Sequence, residues 1–376
     1  MKLIFEKDNL LNIINTVQKA VSAKSVMPIL ECIKIEAFDD GSIIVTGNNL
    51  DICIEYRSEC NVIEPGEIAI SSRMFGEIIR RFPDDDVHIS VNPENEMMNL
   101  KCGSSEFNIQ GLNADEYPAV PEVEENYKFS ISQEKLKRMI RKTVFAISVN
   151  EARKPILTGS LFEINTGVLT VVATDGFRIA KTEEIVDASL SDIKFVIPGF
   201  TLREMLKVLE DNDSPVTIIA SQRFVMFSFE KYRVVSRLLE GDYVNYKPIF
   251  NTPNSIAVTV NTREFTDSIE RAALIINDDK LQGNEKIPLK ISIADDVLDI
   301  TCSTSKGKIN DTVSVEKIGS DIEIGFNHRY LLEALRNCED EVVKLELSNP
   351  KGACFIKPTE NNDYIYMLLP VRLYEE

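Results

Sequence analysis

AISSRMFGEIIRRF, residues 69–82, comes back twice along the chain, as VIPGFTLREMLKVL at 196–209 and as EIGFNHRYLLEALR at 323–336. Ile70, Ile197 and Ile324 stand 127 residues apart. A second stretch recurs ahead of each: MPILECIKIEAFDDGSIIVTG at 27–47, KPILTGSLFEINTGVLTVVATDG at 154–176 and IPLKISIADDVLDITCSTSKG at 287–307. A third opens each unit: FEKDNLLNIINTVQKAV, SISQEKLKRMIRKTVFAI and TVNTREFTDSIERAALII. The period is far too long for a solenoid, so each copy is the size of a domain. Three copies use the whole chain, which sets domains at 1–125, 126–252 and 253–376.

Each copy reads alike. A short strand leads into a helix with an apolar stripe: Leu10, Ile13, Ile14, Val17 and Val21 in the first copy, Leu136, Ile140 and Val144 in the second, and Phe265, Ile269, Ala272 and Ile276 in the third. Alternating strands follow, turned at Asp-Asp-Gly, Asn-Thr-Gly and Ala-Asp-Asp. A second helix, capped at Ser71, Gly199 or Asn327, precedes the last strands. The order β-α-β-β-β-α-β-β-β, three times over, makes the fold α+β rather than doubly wound.

The hairpin ATDGFRIA, 173–180, poses the question of a catalytic carboxylate. One period earlier stand Asn48 and Asn49, and the third copy has Ser305, Lys306 and Gly307 nearby. All are turn residues, so Asp175 is a corner and not a catalyst. Phe177 and Arg178, beside the turn, set the second copy apart.

Composition narrows the function. The 376 residues carry 27% charged and 44% apolar side chains, with no apolar run long enough to span a membrane. Lys7 and Asp8 interrupt the apolar core that a secretory signal needs. Seven scattered cysteines without a C-x-x-C point to core residues in a reducing cytoplasm. The net charge of −18 taken alone argues against binding nucleic acid. Its distribution reverses that. The six helical segments (7–24, 71–81, 132–146, 198–210, 261–275 and 326–337) together carry +8, which leaves −26 on the rest. Lys135, Lys137, Arg138, Arg141 and Lys142 crowd one of them. Helices on one surface would make that surface attract phosphates, while the strands repel them. The first helix of the third copy is net acidic and dissents.

Three α+β repeats, the run RKPILTGSLFEI (153–164), the ATDGFRIA hairpin and the ending YMLLPVRL (366–373) resemble the bacterial sliding clamps, the beta-subunit family of the replicative DNA polymerase III. The resemblance covers essentially the whole chain. It implies a head-to-tail homodimer closed as a ring, with helices inside, sheets outside and duplex DNA through the hole, bound without regard to sequence. The implied seam joins Phe107 and Ile109 to Leu274 and Ile275. The DNA-facing residues implied are Lys24, Arg73, Arg80, Lys137, Arg138, Arg141 and Lys142; Met74 stands where relatives are often basic.

The resemblance also implies a pocket for short peptide motifs of the polymerase, the clamp loader and repair proteins. Its lining is Leu157, Thr174, Gly176, Phe177, Arg178 and Ile179 from the second copy. From the third come Asn327, Tyr330, Met367, Leu368, Leu369, Pro370, Val371 and Arg372. Gly176 is expected to let a backbone approach closely. Val244 replaces a common Pro in the linker GDYVNYKPIF, whereas the first copy keeps Pro118. Tyr374, Glu375 and Glu376 extend the end beside the pocket and are expected to disfavour acidic peptides.

No cofactor, metal or catalytic reaction is expected. His88 and His328 lie in different repeats without a triad motif, and no phosphate-binding or dinucleotide fingerprint occurs. The acidic runs Asp84-Asp85-Asp86 and Asp278-Asp279 sit near turns, where solvated loops account for them. A hydrolase is separated from a clamp by assays on nucleotides or DNA ends. A scaffold without a hole is separated by DNA geometry, because only a ring is retained on circles and lost from linear ends.

Overall fold

The structure is a computed structural model. It describes the chain except for residues 151–153, 187–192, 281–286, 306, 361–362 and 374–376, and no side chain over 277–280. Six α-helices are present among the described residues: α1 (Lys7–Val17), α2 (Ser72–Arg81), α3 (Gln133–Val144), α4 (Gly199–Met205), α5 (Thr262–Lys280) and α6 (His328–Leu335). Of the apolar stripes, Leu10, Ile13, Ile14 and Val17 of α1, Leu136 and Ile140 of α3, and Phe265, Ile269, Ala272 and Ile276 of α5 are buried, whereas Val144 and Val21, the latter beyond the end of α1, are half-buried. Ser71 caps α2 by accepting from Met74 N, and Asn327 caps α6 by accepting from Arg329 N. Helix α1 stops at Val17 and a 3-10 turn follows, so Lys24 lies on the loop beyond it rather than on a helix.

Each copy has one strand more than the sequence pattern indicates. Between the two helices of a copy run four strands, the additional one being Gly66–Ser71, Ile193–Pro198 or Ile322–Phe326. Each is a short apolar run that enters a helix cap without a turn residue, so nothing in periodicity separates it from the helix it feeds. The first copy also has a short strand, Asn61–Glu64, which extends its hairpin and pairs with Lys2–Glu6.

The chain packs as two compact units, residues 1–135 with 204–238, and residues 136–203 with 239–376. The middle copy is divided between them because its neighbours join it through continuous sheets. In the first unit, its last strand Tyr232–Arg237 pairs antiparallel with Ile52–Glu59 of the first copy, Tyr232 facing Tyr56 and Ser236 facing Ile52. That pairing completes an eight-stranded sheet. A separate five-stranded sheet of this unit ends on Ser105–Gln110. In the second unit, the third copy's last strand Tyr364–Leu368 pairs with Arg178–Ile185, Arg178 facing Leu368 and Thr182 facing Tyr364. The result is a twelve-stranded sheet.

Two tyrosines lock the strand layers to the segments that leave them. Tyr117 donates its hydroxyl toward Cys32 O and Thr46 O, both at 3.2 Å. In the second unit Tyr243 does the same toward Gly159 O at 3.4 Å and Val172 O at 3.3 Å. Each hydroxyl ties a linker to two adjacent strands of one sheet. Burial raises both phenols above their ordinary range.

Candidate functional site

The corner 173–180 is built by its own polar atoms. Asp175 Oδ1 accepts from Phe177 N at 2.9 Å and Arg178 N at 3.1 Å, while Thr174 Oγ1 donates to Arg178 O at 2.6 Å. Asp175 is therefore a turn residue, as the repeats indicate. Gly176 has φ +91° and a Cβ there would meet nothing within 4 Å. The glycine serves the sign of φ, a backbone conformation that a side chain would strain.

Arg178 leaves this corner inward and is only 7% exposed. Its Nε donates to Asp175 Oδ2 at 3.1 Å, its Nη2 to Phe145 O at 2.7 Å, and its Nη1 pairs with Glu333 of α6. The guanidinium lies 4.4 Å from the Tyr330 ring centre. Every edge of the group is engaged, so Arg178 is a frame and not a free polar rim. Phe177 turns outward instead, 49% exposed, and stacks on Tyr330 with centroids 6.4 Å apart. Leu369 N donates to Phe177 O at 2.9 Å, which brings the chain end alongside, and the Leu369 side chain is 41% exposed. Val371 N donates to Gly325 O at 2.8 Å and fixes the segment beyond it. Pro370 is half-buried and Arg372 exposed.

The fourteen expected pocket residues thus fall in one unit, but they divide by burial. Leu157, Thr174, Ile179, Met367 and Leu368 are buried in the separate chain. Ile179 and Met367 belong to an apolar cluster with Leu161, Val172, Val196, Tyr246 and Phe355, so they are a floor. Asn327 spends its side chain on the α6 cap. Phe177, Tyr330, Leu369 and Pro370 offer the accessible apolar surface. Sequence reading missed Phe145 and Glu333, which hold Arg178. It also missed Tyr243, Tyr246, Ile249 and Phe250, which pack on the floor cluster. The aromatic density of GDYVNYKPIF was the available signal for the latter. Val244 is half-buried, and Tyr374, Glu375 and Glu376 lie outside the described residues.

The expected basic face also needs correction. Arg73 and Lys24 are exposed and Lys137 is half-buried. Arg80 donates to Glu77 and Asn15, both at 3.2 Å, and Arg138 to Glu184 at 2.7 Å. Arg141 lies 3.4 Å from Glu339. Lys142 is 3% exposed, 3.1 Å from Glu339 and 4.6 Å from the Tyr364 ring centre, so it is a packing residue and faces no ligand. Lys142→Ala is expected to cost about 1–2 kcal/mol of stability through its lost stem packing and ring contact. Arg141→Ala, at an exposed pair, should change the thermal midpoint little; equal midpoints for the two variants would contradict this assignment.

Of the expected seam residues, Phe107 is 43% and Leu274 73% exposed. Ile275 is half-buried, and Ile109 is buried within its own unit, where it belongs to the core. Phe107 rests against Phe82, centroids 5.6 Å apart. The strand that carries it has a partner on one side only among the described residues, Met97–Cys102. In the second unit, 307–314 of the strand Gly307–Ile318 likewise pair only with Val297–Thr304. Residues 315–318 of the same strand cross to Ile256–Asn261.

His88 is exposed on a strand and His328 buried in α6. Among the described residues no group of three His, Cys, Asp or Glu side chains could hold a metal ion. Burial pushes the Cys32 and Cys60 thiols up to about 11 and those of Cys338 and Cys354 to about 12, so these sulfurs are inert. No helix of the described residues is long and apolar enough to cross a membrane.

Comparison with known proteins gives a single answer. The family described as DNA polymerase III beta subunit matches through its N-terminal domain at 1–121, its central domain at 130–245 and its C-terminal domain at 247–372. The beta sliding clamps of Halalkalibacterium halodurans and Bacillus subtilis are each 33% identical over the full length of both chains. Among solved structures, a putative DNA polymerase III beta subunit from Eubacterium rectale superposes with a TM-score of 0.91 at 36% identity, covering 99% of each chain. The DNA polymerase sliding clamp of Bacillus subtilis gives 0.93 at 32% identity over 100% of both.

Proposed function

The chain belongs to the DNA polymerase III beta subunit family, the bacterial sliding clamps, and on that premise we propose how its own residues carry out the work of a clamp. It is a DNA sliding clamp, a non-catalytic processivity factor whose partners are DNA and the polymerase. Three tandem clamp domains make up the chain, with boundaries that we place at 125 and 252.

Two chains close head to tail into a ring, helices inward and sheets outward. The observation that carries this reading is the pattern of strand edges. The last strand of the second copy pairs with Ile52–Glu59 of the first, and the last strand of the third with Arg178–Ile185 of the second. By the same rule the last strand of the first copy, Ser105–Gln110, requires 307–314 of a third copy, and both edges are open among the described residues. A second chain satisfies both at once, which covers these two edges against further pairing. Phe107 and Leu274 flank the seam.

Helices α1 to α6 face the DNA. Arg80, Arg138 and Arg141 stand next to carboxylates, so the duplex is screened and guided rather than gripped, as travel along it demands. We assign Lys24, Arg73, Arg80, Lys137, Arg138 and Arg141 to this face. Lys137→Glu with Arg141→Glu is expected to slow loading onto primed DNA by about ten-fold at low salt, a deficit that shrinks as salt rises. Loading at the unaltered rate would take α3 off the DNA face.

The exposed apolar group of Phe177, Tyr330, Leu369 and Pro370 is the docking groove for short peptide motifs of the polymerase, the clamp loader and repair proteins. It offers a few apolar anchors with a polar edge, the chemistry such motifs use. Two grooves per ring would hold a polymerase near the primer at a concentration far above its free one.

A further inference from the structure

Glu163 stands on the strand Gly159–Asn165, on the same face as Leu161, and is only 4% exposed. Tyr246 Oη donates to its Oε2 at 2.5 Å. Lys247 Nζ reaches Oε1 at 2.9 Å and Lys194 Nζ reaches the same oxygen at 3.1 Å. Burial works against the charge, but the hydrogen bonds from Tyr246, Lys247 and Lys194 overcome it and bring the carboxyl to about 2. Two of the three donors lie on the linker 241–250. That linker forms no ladder of its own among the described residues, only the 3-10 turn Lys247–Asn251. Its position therefore depends on side chains: the Tyr243 hydroxyl at one end and the Glu163 cluster at the other.

The first copy makes the contrast. One period before Glu163 stands Glu36, which is 3.0 Å from Lys34 of its own strand. The linker there is held at its corner, where Asn48 Nδ2 donates to Pro118 O at 3.3 Å. In the second copy Asp175 is turned onto Arg178 instead, so the corner does not tie the linker down. The carboxylate anchor occurs in the copy that carries the groove. The linker residues it positions also pack on that groove's floor: Tyr246 lies within the cluster of Ile179 and Met367, and Tyr243, Ile249 and Phe250 press against it. A cleft of about 430 Å³ lies beside the linker, lined by Glu163, Lys181, Lys247 and Phe250.

We propose that Glu163 is a positioning residue of the peptide groove, pinning Tyr246 and Lys247 so that the linker fixes how much of the Ile179–Met367 floor a peptide can reach. This rests on the groove reading above. Releasing the pin lets the linker exchange between positions, and a peptide must then order it on binding. Glu163→Gln keeps the shape and one acceptor oxygen, so the chain should still fold, but it loses the charge that draws both linker donors.

The test uses the full chain and, as probe, a fluorescent synthetic peptide with the C-terminal residues of the same organism's replicative polymerase. For Glu163→Gln the peptide Kd is expected to rise about ten-fold, the loss of a charge-assisted anchor. Amide exchange over 243–250 should accelerate while exchange in the helices stays unchanged. Tyr246→Phe, which keeps the ring, should weaken binding in the same direction, and the double variant should add little beyond Glu163→Gln. A lowered thermal midpoint with unchanged peptide Kd would reduce Glu163 to a structural role and overturn the inference. An unaltered protein that fails to take the peptide would instead overturn the groove reading, and this inference with it.

Discussion

Phe107→Asp combined with Leu274→Asp is expected to give a chain that sediments as a monomer of 42.4 kDa at micromolar concentration, where the unaltered protein is expected to sediment at twice that mass. Both side chains are among the exposed large apolar residues of the separate chain, so neither carboxylate disturbs a core. In the closed ring each would be buried against apolar surface without a partner, which costs several kcal/mol per charge. A ring of two chains would have two such seams, related by symmetry, so each substitution would act twice. Ile109→Asp is the informative control. Ile109 is buried in its own unit, and its replacement should unfold that unit rather than separate folded chains. A dimer of undiminished strength in the double variant would place the seam elsewhere.

Phe177→Ala and Leu369→Ala are each expected to weaken capture of a polymerase tail peptide by about thirty-fold or more, the effect of removing a central apolar anchor. Because both side chains are about half exposed, the thermal midpoint should move little. Met367→Ala separates floor from wall. Met367 is buried in the cluster with Ile179 and Phe355, so its truncation should cost about 2–5 kcal/mol of stability whether or not a peptide is present. Fluorescence anisotropy with thermal scans on the three variants checks both statements. Full peptide affinity in Phe177→Ala would remove the outward ring from the groove.

The threefold architecture was legible because duplication leaves the same residues at the same spacing, and because α1, α3 and α5 bury one stripe each. The corner at Asp175 was legible through its echoes at Asn48 and Asn49. What escaped the sequence was decided by neighbours distant in the chain. Lys142 reads as one more cation on a basic helix, and only Glu339 and Tyr364 turn it into a packing residue. Arg178 reads as a free polar rim until Phe145 and Glu333 are beside it. Ile109, Ile179, Met367 and Leu368 are apolar residues in strands, where pattern gives the face but not which end of that face is covered. Val196 and its counterparts form strands that flow into helix caps with no punctuation to separate them. Glu163 carries no motif at all, and its partners Tyr246 and Lys247 are over eighty residues away.

Retention on DNA tests the encircling ring most directly. The protein is loaded onto a nicked circular duplex, freed of unbound material by gel filtration at moderate salt, and divided. One half is cut once with a restriction enzyme before a second filtration. The account predicts that the clamp stays with the intact circle for many minutes and leaves the linear duplex promptly, with the same outcome after the salt is doubled. Equal retention on circle and line, or loss from both as salt rises, would mean that the protein holds DNA by contact and does not surround it.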